Sequence, residues 1–428
     1  MLGRQHGAFS RLRILVIVEN LSVPFDRRVW NEARTLTAAG HEVTVICPKA
    51  DTSQAAFEIL EGVRIYRHPL PFEARSARDY PLEYTMALFW QLVLATRVKW
   101  SHGFDVIQAC NPPDTIFLLA HLFKFLFGTK FVFDHHDLCP ELFLAKFGKK
   151  GFCYRLLAAF ERWTFRAADI SIATNQSYKQ IAMERGKVPA DRVFVVRSGP
   201  EIERFQPVPA NPRWKAGKDL MIGYLGVMGK QEGIDYLLRA MAEIVHERGR
   251  RDVHLTLVGG GPERDALAQM ARTLGLDDHV TFTGRVSDHD LVEALCTADV
   301  CVNPDEVNPM NDKSTMNKIL EYMALGKAMV QFETVEGRFS AGESSLYARP
   351  NDERDLAAKI MMLLDDPDQR ARMGALGRAR VLNELAWDHQ RPKLLAAYEA
   401  VALSEPTRFI GDRTPQFGIE TADLELVR

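Results

Sequence analysis

Strand-like apolar runs alternate with amphipathic helical stretches along nearly the whole chain, and the series occurs twice. "RILVIV" (13–18) leads to "RRVWNEARTLTAAG" (27–40), which stops on a glycine before "HEVTVICP" (41–48). "FDVIQAC" (104–110), "KFVFD" (130–134), "DISIAT" (169–174) and "RVFVVRSG" (192–199) continue it, with helical patterns between. This rhythm predicts a parallel sheet wound with helices on both faces. "PEIERFQPVPANPRWKAGKD" (200–219) breaks the pattern with prolines and polar residues, as a linker does. A second series restarts at "LMIGYLG" (220–226) and runs through "VHLTLVGGG" (253–261), "VTFTG" (280–284), "VCVNP" (300–304) and "AMVQF" (328–332). The expectation is an α/β chain with two Rossmann-like domains, 1–199 and 220–384, joined by the 200–219 linker. A helix over 385–403 is expected to pack back across the interdomain region, ahead of a loosely held tail, 404–428. Ligands of such sheets bind beyond the carboxyl ends of the strands, which places the site in the cleft between the two units.

A length of 428 residues suits two cores. The six cysteines have no CxxC spacing and several lie in apolar stretches, so they read as reduced core thiols in a reducing, cytoplasmic setting. The run "ILVIV" is too short for a secretory segment, and "TIFLLAHLFKFLFGTKFVF" (115–133) is broken by His121, Lys124, Gly128 and Lys130, so it reads as a helix followed by a strand. The net charge of −2 conceals a division: 26 Lys/Arg against 19 Asp/Glu in residues 1–200 give +7, and 28 against 37 in the rest give −9. The positive half suits an anionic membrane surface or a phosphate-bearing ligand, with solvated faces as the plain alternative. "YTMALFWQLVLATRVKW" (84–100) is either a buried helix or one lying against anionic lipid, at the inner face of a membrane. No long basic run or aromatic-interleaved patch points to nucleic acid.

"DHHDLCPE" (134–141) concentrates histidines, acids and a cysteine at a strand end. His135 and His136 are adjacent, so on an extended segment they point apart and do not jointly chelate an ion, and no metal is expected. "GYLGVMG" (223–229) spaces its glycines GxxGxxG rather than GxGxxG, and "LTLVGGG" ends in glycine where a ribose-binding acid would stand, which disfavours hydride transfer. The turn still suits an anion at a helix N-terminus near residue 233, with Lys230 and Gln231 beside it. "VGGGPE" (258–263) brings Gly259, Gly260 and Gly261 to a strand end, and "FTGRV" (282–286) exposes Arg285. In "NPDEVNPMNDKSTMNKILEYMALGKAMV" (303–330), Ser314 or Thr315 is the expected N-cap of a helix ending near Gly326. Lys318 and Glu321 share one face of it, the lysine suited to phosphates and the glutamate to the vicinal hydroxyls of a ribose, or else forming an exposed ion pair.

Together "AAGHEVTVICP", "DHHDLCPE", "GYLGVMGKQEGIDYLLRA", "LVGGGPE", "VTFTGRV" and "KILEYMALGKAMV" resemble a family 4 glycosyltransferase, over nearly the whole chain. The resemblance implies the GT-B fold and retaining transfer from a nucleotide diphosphate sugar to a glycan or lipid-linked acceptor, in cell-surface polysaccharide biosynthesis and without cofactor or metal. It implies that Glu321 holds the donor ribose, that Gly259–Gly261 and Arg285 surround the donor base and diphosphate, and that His136 stands beside the transferred sugar. His136 and Asp137 are then the candidate catalytic pair, with Ser314, Thr315, Lys318, Lys230 and Gln231 completing the donor set. Three positions depart from the family: Lys313 replaces the paired glutamate, Val227 and Glu232 stand where an arginine and a lysine grip the diphosphate, and "SVPFDRR" replaces a glycine-rich loop. Lys318 and Lys230 are the expected sources of the missing charge. A catalytically silent nucleotide-sugar-binding partner and an epimerase or hydrolase on the same fold are the rival readings.

Overall fold

The computed structural model describes residues 11–51, 53–69, 80–148 and 150–404; the expected tail lies, apart from Ser404, outside them. The first domain contains strands β1 (Arg13–Ile17), β2 (Glu42–Pro48), β3 (Phe57–Leu60), β4 (Val63–His68), β5 (Val106–Cys110), β6 (Lys130–His135), β7 (Ile170–Ala173) and β8 (Val193–Val195). They form one sheet in the order β3-β4-β2-β1-β5-β6-β7-β8, parallel except for β3, which pairs antiparallel with β4. The hairpin of β3 and β4 escapes the sequence rhythm because no helical segment separates its strands. The second domain carries β9 (Leu220–Leu225), β10 (Val253–Val258), β11 (Val280–Gly284), β12 (Val300–Asn303), β13 (Met329–Phe332) and β14 (Ser345–Ala348), all parallel, in the order β11-β10-β9-β12-β13-β14.

Strand β1 shows why the runs are continuous rather than alternating. Ile14 and Val16 pack into the core on one face of the sheet, Leu15 and Ile17 into that on the other, and helices cover both. In both sheets the order reverses at the first strand of the domain, β1 and β9, which opens a crevice at its carboxyl end.

Residues 200–219 are not a free linker. Phe205 is buried, Ile202, Val208 and Trp214 pack on the second domain's core, and Trp214 Nε1 donates to Glu293 at 2.9 Å. Helix Trp387–Leu403 returns to the first domain. Trp387, Leu394, Ala397, Tyr398 and Val401 complete one of that sheet's two cores, and Trp387 Nε1 donates to Thr35 Oγ1 at 3.0 Å. Among the described residues the chain crosses between the domains twice, and the crossings touch: Trp387 N–H donates to the Pro200 carbonyl at 3.1 Å, and a Cβ on Gly199 would meet the Leu385 carbonyl oxygen.

Candidate active site

Beyond β6 the chain turns through His136–Leu138 into helix Cys139–Phe147. Asn111, at the end of β5, clamps that turn: its Oδ1 accepts from the backbone of His136 (2.7 Å) and Asp137 (3.1 Å), and its Nδ2 donates to the Asp137 carbonyl (2.7 Å). The two histidines part. His135 is buried among the rings of Phe133, Phe165 and Tyr178, and burial holds it neutral, its pKa down to about 3. His136 turns toward Asp134 and Arg28, the latter a lining residue of the interdomain cavity.

Under the cleft floor lies a buried charged knot. Arg28 Nη2 reaches Asp134 Oδ1 (2.8 Å) and Glu32 (3.2 Å), while Nη1 donates to the Val196 carbonyl (2.8 Å) and Ser198 Oγ (3.2 Å). Gln108 Nε2 donates to Glu32 (2.6 Å) and Asp134 (3.1 Å). His136 Nε2 stands 2.7 Å from Asp134 Oδ2 and 2.9 Å from Arg28 Nε. One nitrogen cannot serve both; the ionised carboxylate claims its proton, and Arg28 Nε is left as a close neighbour. Burial opposes charge throughout the knot, but Arg28 and His136 hold Asp134 well below the usual carboxylate range. Burial and the neighbouring charge of Asp134 push the Glu32 carboxyl up, with Arg28 opposing. Burial also works against the His136 proton, yet the charge of Asp134 and its hydrogen bond raise that pKa. His136 Nδ1 makes no protein hydrogen bond among the described residues. Cys110, Asp134 and His136 present ligand atoms within 4.8 Å of one another, but the Arg28 guanidinium already neutralises that cluster and would repel a cation.

On the facing domain three strand-end turns interlock. Met228 N–H donates to the Gly260 carbonyl (2.9 Å) and Gly259 N–H to Gly284 (3.1 Å). Gly259 has φ +128° and a Cβ there would strike the Gly226 carbonyl, so only glycine fits. Lys230 is exposed in the turn after β9, and Gln231 is half-buried beside it, its carbonyl accepting from Asn311 Nδ2 at 2.8 Å. Arg285 lies over the Phe25 ring, 4.5 Å from its centroid, so the "SVPFDRR" loop reaches across the cleft to it.

Helix Asn317–Ala324 corrects two expectations. Neither Ser314 nor Thr315 caps it; Met316 holds that position without a side-chain bond. The hydroxyls are engaged across the domain boundary instead: Ser314 Oγ lies 3.2 Å from Tyr178 Oη, and Thr315 Oγ1 accepts from Asn175 Nδ2 (3.0 Å) and Arg197 Nη1 (3.3 Å). Lys318 is not open to the cleft. Its ammonium is buried between Glu232 (2.6 Å) and Asp305 (2.7 Å), and against burial these acids raise its pKa well above the usual lysine value. It forms no ion pair with Glu321.

Glu321 instead lines an interdomain cavity of about 550 Å³, counting its open mouth, with Arg27, Arg28, Arg204 and Asn317. Half-buried and without a hydrogen-bond partner among the described residues, its carboxyl is raised by burial, with Arg204 and Lys318 opposing. The three arginines escaped the sequence reading, although a signal was present. Arg27 and Arg28 open helix Arg27–Ala38, whose first turn has no acid, and cations there oppose the helix dipole.

Two family profiles fit this pair of domains: "Glycosyl transferase 4-like domain" matches residues 26–199 and "Glycosyl transferases group 1" residues 219–366. The chain belongs to the group 1 glycosyltransferases. The transferase is 25% identical over 412 residues to a glycogen synthase of Mycobacterium tuberculosis, covering 91% of this chain and 92% of that one. Its fold is GT-B, shared with sucrose-phosphate synthase of Thermosynechococcus elongatus (TM-score 0.76, 20% identity, 91% and 98% of the two chains). Anabaena HepE, solved in complex with UDP-glucose, has the same fold (TM-score 0.70, 15% identity, 91% and 100%). As a group 1 enzyme, the transferase moves glycosyl groups.

Proposed function

We propose that this enzyme takes a hexosyl group from a nucleotide diphosphate sugar, a UDP-sugar in the first instance, and delivers it with retention to a glycan or lipid-linked acceptor in cell-surface polysaccharide synthesis. One observation carries the reading: one cavity between the domains is lined by Glu321, whose carboxyl has no hydrogen-bond partner among the described residues, and by Arg27 and Arg204, which share Asp288 at 3.3 and 2.7 Å, with Arg28, already paired to Asp134, at its floor. A carboxylate accepts two vicinal hydroxyls of a ribose, and guanidinium groups neutralise the charge that grows on a departing diphosphate. His136, its Nε2 proton committed to Asp134, offers Nδ1 to the transferred sugar, and Asp137 orients the acceptor hydroxyl. No residue need act as nucleophile, and Arg27 and Arg204, two guanidinium groups sharing the one carboxylate of Asp288, leave net positive charge for the diphosphate. An acceptor carried on lipid would bring the enzyme to an anionic membrane surface; among the described residues no helix is long and apolar enough to cross one.

Thermal-shift screening of nucleotide sugars, followed by transfer assays and NMR of the product anomer, tests the reading. Glu321→Gln is expected to weaken donor binding by about 10- to 100-fold, the loss of a charged hydrogen-bond acceptor. Unchanged donor affinity in that variant, or an inverted product, would overturn it.

A further inference from the structure

Exposed large apolar side chains gather on one side of the first domain. Helix Phe117–Phe127, "FLLAHLFKFLF", buries Phe117, Leu119, Ala120 and Phe123 yet leaves Leu118, Leu122 and Leu126 exposed, a four-residue spacing that forms one outward stripe. A helix apolar on every side normally sits in a core or in lipid. At 11 residues, about 16 Å, this one is too short to span a bilayer. Its neighbour Phe152–Ala167 continues the surface, with Phe152 79% exposed and Leu156 and Trp163 on the same face. Ring contacts join the pieces: Trp163 lies 5.8 Å from Phe117, and Trp100, 78% exposed at the end of helix Tyr80–Ser101, lies 6.4 Å from Phe127. Large apolar side chains gathered and exposed in this way among the described residues mark an interaction site.

The charges around it select the partner. Arg155, Arg162 and Arg166 are exposed on the strip of helix Phe152–Ala167 next to its apolar stripe, and none forms an ion pair among the described residues. The acid of that helix, Glu161, is buried, and helix Phe117–Phe127 has none. An apolar stripe flanked by arginines and free of exposed acids suits the boundary of an anionic bilayer.

We infer that the face made by helices Phe117–Phe127 and Phe152–Ala167 docks the enzyme on anionic phospholipid. This deepens the lipid-linked acceptor reading and rests on it only for its purpose. Arg185 joins Glu141 of helix Cys139–Phe147 to Glu161 of the docking helix, so the face is tied to the element that follows His136 and Asp137. A headgroup-borne acceptor would thus enter beside the cleft while its lipid stays in the membrane.

The test uses the full chain with neither donor nor acceptor, so its outcome is separate from that of the transfer assays. Flotation is measured with vesicles of phosphatidylcholine alone and with phosphatidylglycerol added. A fluorophore on Cys153, the exposed cysteine of the docking helix, reports insertion. Binding to the anionic vesicles that falls with salt and is lost in Leu122→Glu with Phe152→Glu is expected. Each of Arg155→Ala, Arg162→Ala and Arg166→Ala should weaken it about fivefold, the worth of one cation at such a surface. A melting temperature and a nucleotide-induced shift like those of the parent establish that each variant is folded. No binding by the parent protein, equal binding to neutral vesicles, or binding untouched in folded variants would overturn the inference. So would a dimer that the same substitutions dissolve, which would assign the face to a second copy of the chain.

Discussion

Glu19, just beyond β1, is 4% exposed, and neither of its carboxyl oxygens has a hydrogen-bond partner among the described residues. Burial, with a smaller contribution from Glu83, pushes its pKa up to about 9. An unfolded glutamate titrates near 4.3, so between those values the folded chain holds a proton the unfolded chain has released. That contribution to stability falls with rising pH by about 1.4 kcal/mol per unit. Glu19→Gln removes it, so its melting temperature should exceed the parent's by more at pH 8 than at pH 5; equal differences would show that the group ionises in the fold. Lys318 is the converse case, a buried cation satisfied by two acids. Lys318→Met leaves Glu232 and Asp305 facing each other and is expected to cost about 3–5 kcal/mol in denaturant unfolding. Adding Asp305→Asn should recover part of that. A variant of full stability but weakened donor binding would instead return Lys318 to the ligand.

At the scale of elements, Asn111 fixes the turn that carries the proposed catalytic pair. Asn111→Ala frees two backbone N–H groups and a carbonyl of His136–Asp137, and turnover should drop at least tenfold while donor affinity, which the proposed reading assigns to Glu321 and the cavity arginines rather than to this turn, stays within about twofold; steady-state kinetics separate the two. The strands and helices around that loop were legible in the sequence, because buried parallel strands read as unbroken apolar runs and glycines mark where they turn. The occupants of the loops were less so. Glu321 stands out by its spacing, but whether Lys318 faces ligand or acids depends on Asp305 and Glu232, 13 and 86 residues away in the chain. Ser314 and Thr315 read as caps because hydroxyls before a helix usually are; here partners on the other domain compete for them. Arg28 was hidden for the same reason, since Asp134 and Val196, which hold it, lie more than a hundred residues away.

In the whole molecule, the cleft is set by contacts that cross it. Arg197 Nη2 reaches Glu336 Oε2 at 3.0 Å, and Ser177 Oγ donates to the same carboxylate at 2.7 Å. A double-mutant cycle of Arg197→Met and Glu336→Gln should give a coupling of about 1–3 kcal/mol, and Glu336→Gln alone should increase the radius of gyration in small-angle scattering as the domains part. No coupling would mean that the boundary is held elsewhere. The return of helix Trp387–Leu403 to the first sheet also has a consequence in time. A ribosome making this protein finishes every strand of that sheet, and then those of the second, before it reaches Trp387, so the nascent first domain waits with an apolar flank bare until helix Trp387–Leu403 emerges. Its folding is therefore completed only after the second domain has been made, and a chaperone that shields that flank during synthesis would act on this protein more than on one whose domains close in chain order.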